Sequence, residues 1–530
     1  MIRFTRRFSL VVLLAIFAIS PIALAQEPEA QYERLLATGY SPDTILVRFG
    51  PEADIEALAV SAGITEIRPI DRIDVSVCQV SEGSVLSAIE TLAASGDILF
   101  AEPNYLRRTF FTPNDPRYGE QYGFQKINAE NAWNITLGSS NVIVAVIDTG
   151  VDQDHPELIN QRWINTDEIA GNGIDDDGNG YIDDRFGYDF FGKALFGGLL
   201  PPPEGEEDSN PEDDNGHGTH TAGTVAAETD NATGVAGTAS GCKVMVIRAL
   251  GGLLGFGYSS DIMKAMVYAA DNGAHVISMS LGSTQFSSAE LAVAAYCTTN
   301  DVLIVAAAGN GGNAQVNYPA GYPQVMAVSA SNQSDNIASF STTGVNIDVA
   351  APGAGVLSTW KGAGYKSADG TSMACPHAAG VCALVRSQFP AINADQARLM
   401  VRDGATDLGA AGWDSKYGDG RLEAYGALTA SVPDPAQVRL FSPGNGGFIN
   451  TGNTPFGFGW SRVTGAASYA IQFELPSTNV VTVPGITKSH FYAPASVWTN
   501  VPAGQYRWRV GALNGNNAVI SVSSWWTFSK

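Results

Sequence analysis

Three hydrophobic patterns succeed one another along the chain. Between residues 42 and 105 short apolar stretches of both periods alternate. Thr44 to Phe49 (TILVRF) reads as a strand, 52–62 and 82–94 as amphipathic helices, and Ile98 to Tyr105 closes the block. This predicts a small α+β unit near the lower size limit for independent folding. Thr112-Pro113-Asn114-Asp115-Pro116 then reads as a linker or an extended arm. From about residue 128 the apolar runs become continuous: Asn141 to Ile147 (NVIVAVI), 244–247, 275–279, 302–306 and 325–328, with helical stretches such as 261–270 and 288–295 between them. Strands without alternation are buried on both faces, so the pattern predicts an α/β domain with a parallel sheet covered by helices on both faces. Past Pro433, Pro435 and Pro443, with Gly444, Gly446 and Gly447, short aromatic strands follow at 456–460, 469–473, 506–510 and 525–528, with no helical period. That predicts a β-sandwich.

A length of 530 residues fits several such domains, and 45% apolar against 16% charged residues allows large cores. The net charge of −23 disfavours nucleic acid as a partner. Arg3, Arg6 and Arg7, the apolar run Phe8 to Ser20 and the small residues Ala23-Leu24-Ala25 predict a secretory signal over 1–25. No later run approaches the length of a membrane span, so a secreted protein with no membrane anchor is expected. Five cysteines make no disulfide scaffold. Cys375 and Cys382, seven apart on one predicted helix, are about 10.5 Å apart by helical rise and too far to bridge. A Cys242–Cys297 pair stays open.

Candidate chemistry lies in the middle block, where ligands of open α/β sheets meet the carboxyl ends of the strands. Asp148 ends the 142–147 strand, and a carboxylate there can orient a histidine. His217 stands between glycines that allow close backbone approach, at the start of a helix built of small residues. Ser372 follows Gly370-Thr371 at another predicted helix start, where backbone N–H groups face the site. Asn310 follows the 302–306 strand, and its amide can donate to a developing oxyanion, a contribution on the order of 3 kcal/mol. Each residue alone has a commonplace reading: an Asx turn, a surface histidine, a helix cap. His217 and His220 at i, i+3 lack the glutamate of a zinc-protease motif.

The order Asp, His, Ser with a donor Asn before the Ser resembles the subtilisin arrangement. The carriers are VIDTGVDQDHPEL (146–158), NGHGTHTAGTVA (215–226), SMSLG (278–282), AAAGN (306–310), APG (351–353) and DGTSMACPHAAG (369–380). They span the middle block. Ser278 departs from the family's usual Asn. The resemblance implies a serine endopeptidase with Ser372 as nucleophile, His217 as base and acid, Asp148 as orienting carboxylate and Asn310 as oxyanion donor. It implies extended protein or peptide substrates paired with Ser280, Leu281 and Gly282 on one side and the stretch around Gly255 on the other, with Asn317 near the base of a specificity pocket. It also implies that 26–110 is an inhibitory propeptide and 111–432 the catalytic domain; separately, through Phe458-Gly459-Trp460, Ala466 to Tyr469 and Gly504 to Val510, 433–530 resembles a fibronectin type III-like or Ig-like sandwich, and a monomer is expected. Self-cleavage is expected between about Leu106 and Pro113.

The acidic residues cluster. Between Asn165 and Asn215 stand 15 Asp/Glu against only Arg185 and Lys193, a net of −13. Counted from Asp175, oxygen ligands Asp175, Asp177 and Asn179, a glycine at position 6, Tyr181 and Asp183 follow the spacing of an EF-hand Ca²⁺ loop. Phe186 stands where the closing glutamate belongs, so Asp184, Asp189 or another carboxylate must complete the shell. The family resemblance implies a second Ca²⁺ site from Asp115, Glu157 and the loop carrying Glu228, Asn231, Thr233 and Val235. Two rival functions are a catalytically dead scaffold and a surface-binding protein whose sandwich carries the activity. All four catalytic positions are filled, which speaks against the first.

Overall fold

The computed structural model describes residues 39–107, 111–196, 198–199, 201–202, 206–449, 455–477 and 479–530. The expected signal 1–25 and part of the expected self-cleavage segment lie outside the described residues. The chain divides into two compact units, 1–109 and 110–530.

In the first unit, strands β1 (Tyr40–Phe49), β2 (Glu66–Ile70), β3 (Val75–Gln79) and β4 (Ile98–Tyr105) form an antiparallel sheet in the order β2-β3-β1-β4. Helices α1 (Ile55–Ala62) and α2 (Val85–Ser95) supply Leu58, Ala88 and Leu92 to a core shared with Ile45, Val47 and Cys78. Asp54 caps α1 through the Ala57 N–H at 3.1 Å, and Gly63 ends it with φ +66°.

The second unit is built around a seven-stranded sheet, parallel throughout. Its strands are β5 (Ile143–Asp148), β6 (Gly187–Asp189), β7 (Lys243–Arg248), β8 (Val276–Met279), β9 (Leu303–Ala307), β10 (Met326–Ser331) and β11 (Ile347–Pro352), in the order β11-β10-β9-β8-β5-β7-β6. Alternate side chains serve two cores. Val144, Val146, Val244 and Val246 face α3 (His217–Ala226) and α6 (Thr371–Gln388). Ala145, Ile147, Met245 and Ile247 face α4 (Ser259–Asp271) and α5 (Ser288–Thr299). The sequence reading of strands buried on both faces is what the sheet requires, because each face carries its own helices. A hairpin of β12 (Val356–Trp360) and β13 (Gly364–Ala368) precedes α6, and α7 (Ala394–Asp403) follows it.

Helix α6 contains Pro376 well inside it. Proline is ordinarily tolerated only in the first turn of a helix, since its missing N–H orphans the carbonyl four residues back. That carbonyl belongs to Ser372, and the Ser280 hydroxyl donates to it at 2.7 Å. A residue from the neighbouring β8 loop thus replaces the lost helical bond.

Residues 433–530 fold with the sheet domain in the same compact unit. Strands β14 (Leu440–Ser442), β16 (Phe456–Trp460) and β19 (His490–Ala493) form one sheet. The other comprises β15 (Gly447–Phe448), β22 (Trp526–Ser529), β20 (Gln505–Leu513), β17 (Ser468–Glu474) and β18 (Val480–Ile486), with β21 (Val519–Val522) on β20. Phe458, Trp460, Ile471, Trp508 and Val510 fill the core between them. A short helix, Ala495–Trp498, departs from the all-strand expectation and buries Trp498 in that core. Trp525 is half-buried under Arg507 and Arg509, whose guanidinium carbons lie 5.3 and 4.4 Å from its ring centre. The sandwich is tied to the sheet domain. Arg462 pairs with Asp395 at 2.8 Å and Asp301 at 3.2 Å and donates to the Thr298 carbonyl. Phe441 stacks on Arg398 at 4.2 Å.

All five cysteines are free and buried, so Cys242 and Cys297 do not pair. Among the described residues no helix is long and apolar enough to cross a membrane.

Arg398 makes a two-pronged pair with Asp348, both contacts 2.9 Å, with each side chain almost wholly buried. Asp348 also accepts from the Ala327 N–H at 2.8 Å, and Arg398 donates to the Pro323 carbonyl at 2.8 Å. Removing one partner leaves a buried charge uncompensated. Asp348→Asn should therefore lose about 3–5 kcal/mol in denaturant unfolding, and a loss under about 1 kcal/mol would contradict this account.

Candidate active site

The four residues singled out for chemistry stand at the carboxyl edge of the sheet. Asp148 is the last residue of β5 and is buried. His217 opens α3 after Gly216, whose φ of +107° suits glycine. A Cβ on Gly216 would also come within 2.5 Å of the Trp360 ring, and one on Gly218 within 2.1 Å of the Gly150 carbonyl. The small residues of this segment are what let the histidine loop close on the end of β5.

His217 Nδ1 lies 2.7 Å from Asp148 Oδ1. The carboxylate also accepts from the Thr149 N–H at 2.7 Å and the Thr221 hydroxyl at 3.3 Å. With Nδ1 donating to a carboxylate, the neutral ring keeps Nε2 as its acceptor. Burial disfavours a charged ring, but the Asp148 charge and hydrogen bond and the Asp213 charge outweigh it, so His217 titrates above its ordinary 6.5. This stabilises the fold fully below the ordinary value and fades as pH rises through the raised one.

Sequence reasoning missed Asp213. It is buried and accepts from the Asn215, Gly216 and Thr219 N–H groups at 2.9, 2.8 and 3.0 Å. It also takes the Thr149 and Thr219 hydroxyls at 2.9 and 2.5 Å. One carboxylate thereby holds the start of the histidine helix against the residue that follows Asp148. Its signal was an aspartate just ahead of a helix start.

Ser372 is the second residue of α6, after Gly370 at φ +154°. Its hydroxyl donates to the Ser280 carbonyl at 3.2 Å. Thr371, also unforeseen, orients Asn310. Its N–H and hydroxyl donate to Asn310 Oδ1 at 2.9 and 3.0 Å, and that hydroxyl accepts from the Gly309 N–H at 3.1 Å. With its oxygen occupied, the Asn310 amide has its N–H donors left for the cleft that it lines.

His217, Ser372 and Asn310 line one cleft of about 700 Å³. Ser280, Leu281, Gly282, Gly255 and Asn317 line it too, so every residue expected to hold substrate is on its wall. Gly282 has no room for a Cβ, which would meet the Tyr318 carbonyl at 2.8 Å. Asn215 and Asp214 bind Gly252 at 2.7 and 3.0 Å, tying the glycine-rich rim to the histidine loop.

The acidic segment is placed differently from its sequence spacing. Ligand-capable oxygens of Asp175 and Asp177 lie within 4.8 Å of one another and of Glu168, a residue the spacing did not pick. Glu168 is buried; Oε1 accepts from the Asp176 N–H at 2.6 Å, while buried Oε2 has no partner. Asn179 is tied to Asp177 and Asp184 through its amide, and its oxygen takes the Tyr181 N–H. The Tyr181 ring packs on Tyr188, Phe190 and Tyr268. Asp183 does not join the cluster. Its φ is +57° and its carboxylate accepts from Asn172 and Gly173 N–H groups on the outside of the loop. Asp184 receives Tyr268 at 2.7 Å, and Asp189 is spent on Arg248 at 2.6 Å.

The other expected site is assembled from distant segments. Buried Glu157 accepts from the Val235 N–H, the Asn231 amide and the Tyr365 hydroxyl, each at 3.0 Å. Asp115 binds the Asp230 N–H at 2.8 Å, and its buried Oδ1 has no partner. Burial raises the pKa of both carboxyls. The Thr233 N–H bonds Asn231, but the Glu228 side chain turns outward to Asn160.

Residues 139–420 match the model of the subtilase family, and 27–104 match the fervidolysin N-terminal prodomain. The chain is 37% identical over 394 residues to a thermophilic serine proteinase of Bacillus sp. (strain AK1), covering 74% of this chain and 88% of that one. It is 40% identical over 319 residues to thermitase of Thermoactinomyces vulgaris, covering 60% and 99%. Among solved structures it is similar to a protease from Pseudoalteromonas arctica PAMC 21717, with a TM-score of 0.51 and 31% identity, covering 60% of this chain and 99% of that one.

In NMR titration His217 should show a midpoint above 6.5, and Asp148→Asn should bring it below, since burial then prevails. His220 and His377, both pushed down to about 4 by burial, should stay neutral over that range and serve as internal references. A wild-type midpoint at or below 6.5 would refute the coupling.

Proposed function

We propose the following division of labour in this chain, which belongs to the subtilase family and is a serine endopeptidase carrying an N-terminal prodomain. Ser372 attacks the scissile carbonyl. His217, as the neutral ring, takes the serine proton and returns it to the leaving amine. Asp148 fixes the ring's tautomer and stabilises the imidazolium. The Asn310 amide and the Ser372 backbone N–H receive the oxyanion. The observation that carries this reading is the 2.7 Å contact of His217 Nδ1 with buried Asp148, in a cleft that Ser372 and Asn310 share. Because the base must be neutral, kcat/KM should rise with pH through a midpoint above 6.5. Extended peptides pair with 280–282 on one side and 254–256 on the other, as added strands. Asn317 belongs to the base of a specificity pocket.

We assign 1–25 to a secretory signal, 26–110 to an inhibitory propeptide, 111–432 to the catalytic domain and 433–530 to a fibronectin type III-like sandwich. The protein is secreted as a zymogen that cuts itself between about Leu106 and Pro113. The arginine pairing of the sandwich with the sheet domain favours an integral part over a freely tethered binding module.

Calcium fits both acidic assemblies, because each contains a buried carboxylate oxygen with no protein partner, on Glu168 and on Asp115. Glu168, Asp175 and Asp177 would hold one ion; Asp115, Glu157 and the 228–235 loop would hold another. A bound cation would neutralise carboxylates that otherwise repel one another and lock the loops around them.

A serine-directed fluorophosphonate should label the mature wild-type protein and leave Ser372→Ala unlabelled. The variant should also accumulate at its unprocessed size, and maturation of the pure variant would exclude self-cleavage.

EDTA should lower Tm by several degrees, since a site held at about a hundredfold over its Kd contributes about 2.7 kcal/mol. Glu168→Gln should remove part of that response, and an unchanged Tm in EDTA would exclude both sites.

A further inference from the structure

Among the described residues that line the cleft there is one carboxylate, Glu290, and no lysine or arginine. Glu290 sits in the first turn of α5, with its N–H on the Ser287 hydroxyl at 3.2 Å. It shares the cleft wall with Ser259 and Ile262 of α4, and with Leu281, Gln285 and Ser287. Only 6% of its surface is exposed.

Glu290 is short of a hydrogen-bond donor. Its Oε2 lies 2.9 Å from the Tyr322 hydroxyl, which also lies 2.9 Å from the Ser287 carbonyl. That hydroxyl has one proton for two acceptors, and its lone pair is already taken by the Ser287 N–H at 3.1 Å. Tyr322 cannot swing aside: it is fully buried, with the Tyr318 and Phe286 rings at 4.7 and 5.8 Å. Burial raises the Glu290 pKa and the Tyr322 bond only partly offsets this, as expected of a carboxylate lacking a counter-charge.

We propose that Glu290 forms a subsite for a basic side chain of the peptide substrate. A lysine or arginine would set its charged head against the carboxylate and lay its aliphatic stem along Ile262 and Leu281. This makes the enzyme selective at one substrate position, where small residues and glycines elsewhere in the cleft suggest breadth. The proposal rests on the endopeptidase reading of the cleft.

The test is a positional-scanning set of fluorogenic peptides on the mature full-length enzyme, with fluorophosphonate labelling to count active sites. At one position the wild type should prefer lysine or arginine over norleucine and acetyl-lysine by about 10- to 100-fold in kcat/KM. Glu290→Gln should bring that ratio close to unity, with kcat/KM on peptides neutral at that position, and the label count, unchanged. A wild type that labels and cleaves but prefers no basic residue anywhere overturns the proposal. So does a preference that survives Glu290→Gln, which would leave Glu290 as a helix-end and Tyr322 partner only. If that variant does not fold, the wild-type ratio of lysine to acetyl-lysine decides, since Glu290 is the one carboxylate among the described residues of the wall. A wild type that neither labels nor cleaves removes the endopeptidase reading and the subsite with it.

Discussion

A parallel sheet buried on both faces delivers the carboxyl ends of its strands to one edge, and the chemistry here depends on how rigidly that edge is held. Strand β5 lies inside the sheet, between β7 and β8. Asp148 at its end is fixed by the backbone ladder to β7, while the ladder to β8 reaches Ile147 beside it, and its carboxylate accepts from the N–H of Thr149. The 2.7 Å contact with His217 is only as well defined as that strand and the helix facing it. Asp213 joins the two by binding the start of α3 and the Thr149 hydroxyl together. Thr371 does the same for Asn310, and Ser280 for the carbonyl that Pro376 leaves unpaired. Each catalytic candidate is therefore held by a polar side chain that does no chemistry itself.

The acidic segment between Asp148 and His217 is joined to this edge. Arg248 pairs with Asp189 at 2.6 Å and with Asp214 at 2.9 Å, and Asp214 binds Gly252 on the cleft rim. A cation bound by Glu168 and the aspartates beside it would stiffen a loop that feeds, through β6 and Arg248, into the rim of the cleft. More than half of the charge imbalance is thus a local property of this one segment, which has a mechanical connection to the cleft.

The sandwich has a similar relation to the sheet. Its Phe441 covers the arginines that neutralise Asp348, and Gly457 and Gly459 lie so close to Pro323 that a Cβ would meet the proline at 2.6 and 2.4 Å. Tyr492 of the sandwich packs on Phe286, whose ring also contacts Tyr318 and Tyr322 beside the cleft. The two parts share side chains from the sandwich core to the wall that carries Glu290.

The amino-acid sequence by itself determined the parallel sheet and the strand and helix ends on which Asp148, His217, Ser372 and Asn310 stand, while the three patterned blocks fold as two compact units. The sheet follows from a local rule, that continuous β-branched runs make strands buried on both faces, whereas the four residues stand out only through the order and the family motifs that carry them together. Only the tertiary structure decided which residues serve these. Glu168 replaced Asp183 in the acidic cluster because the backbone of Asp183 turns its carboxylate outward to two N–H groups. Pro376 is accommodated inside a helix because a hydroxyl from the β8 loop reaches its orphaned carbonyl. Thr371 and Glu290 are not legible in the sequence because their partners come from segments 61 and 32 residues away, and the helix-start position of Asp213 says nothing of its bond to Thr149, 64 residues away. Local periodicity carries information over a turn or a strand, whereas a buried polar group is defined by whatever the fold brings within about 3 Å of it.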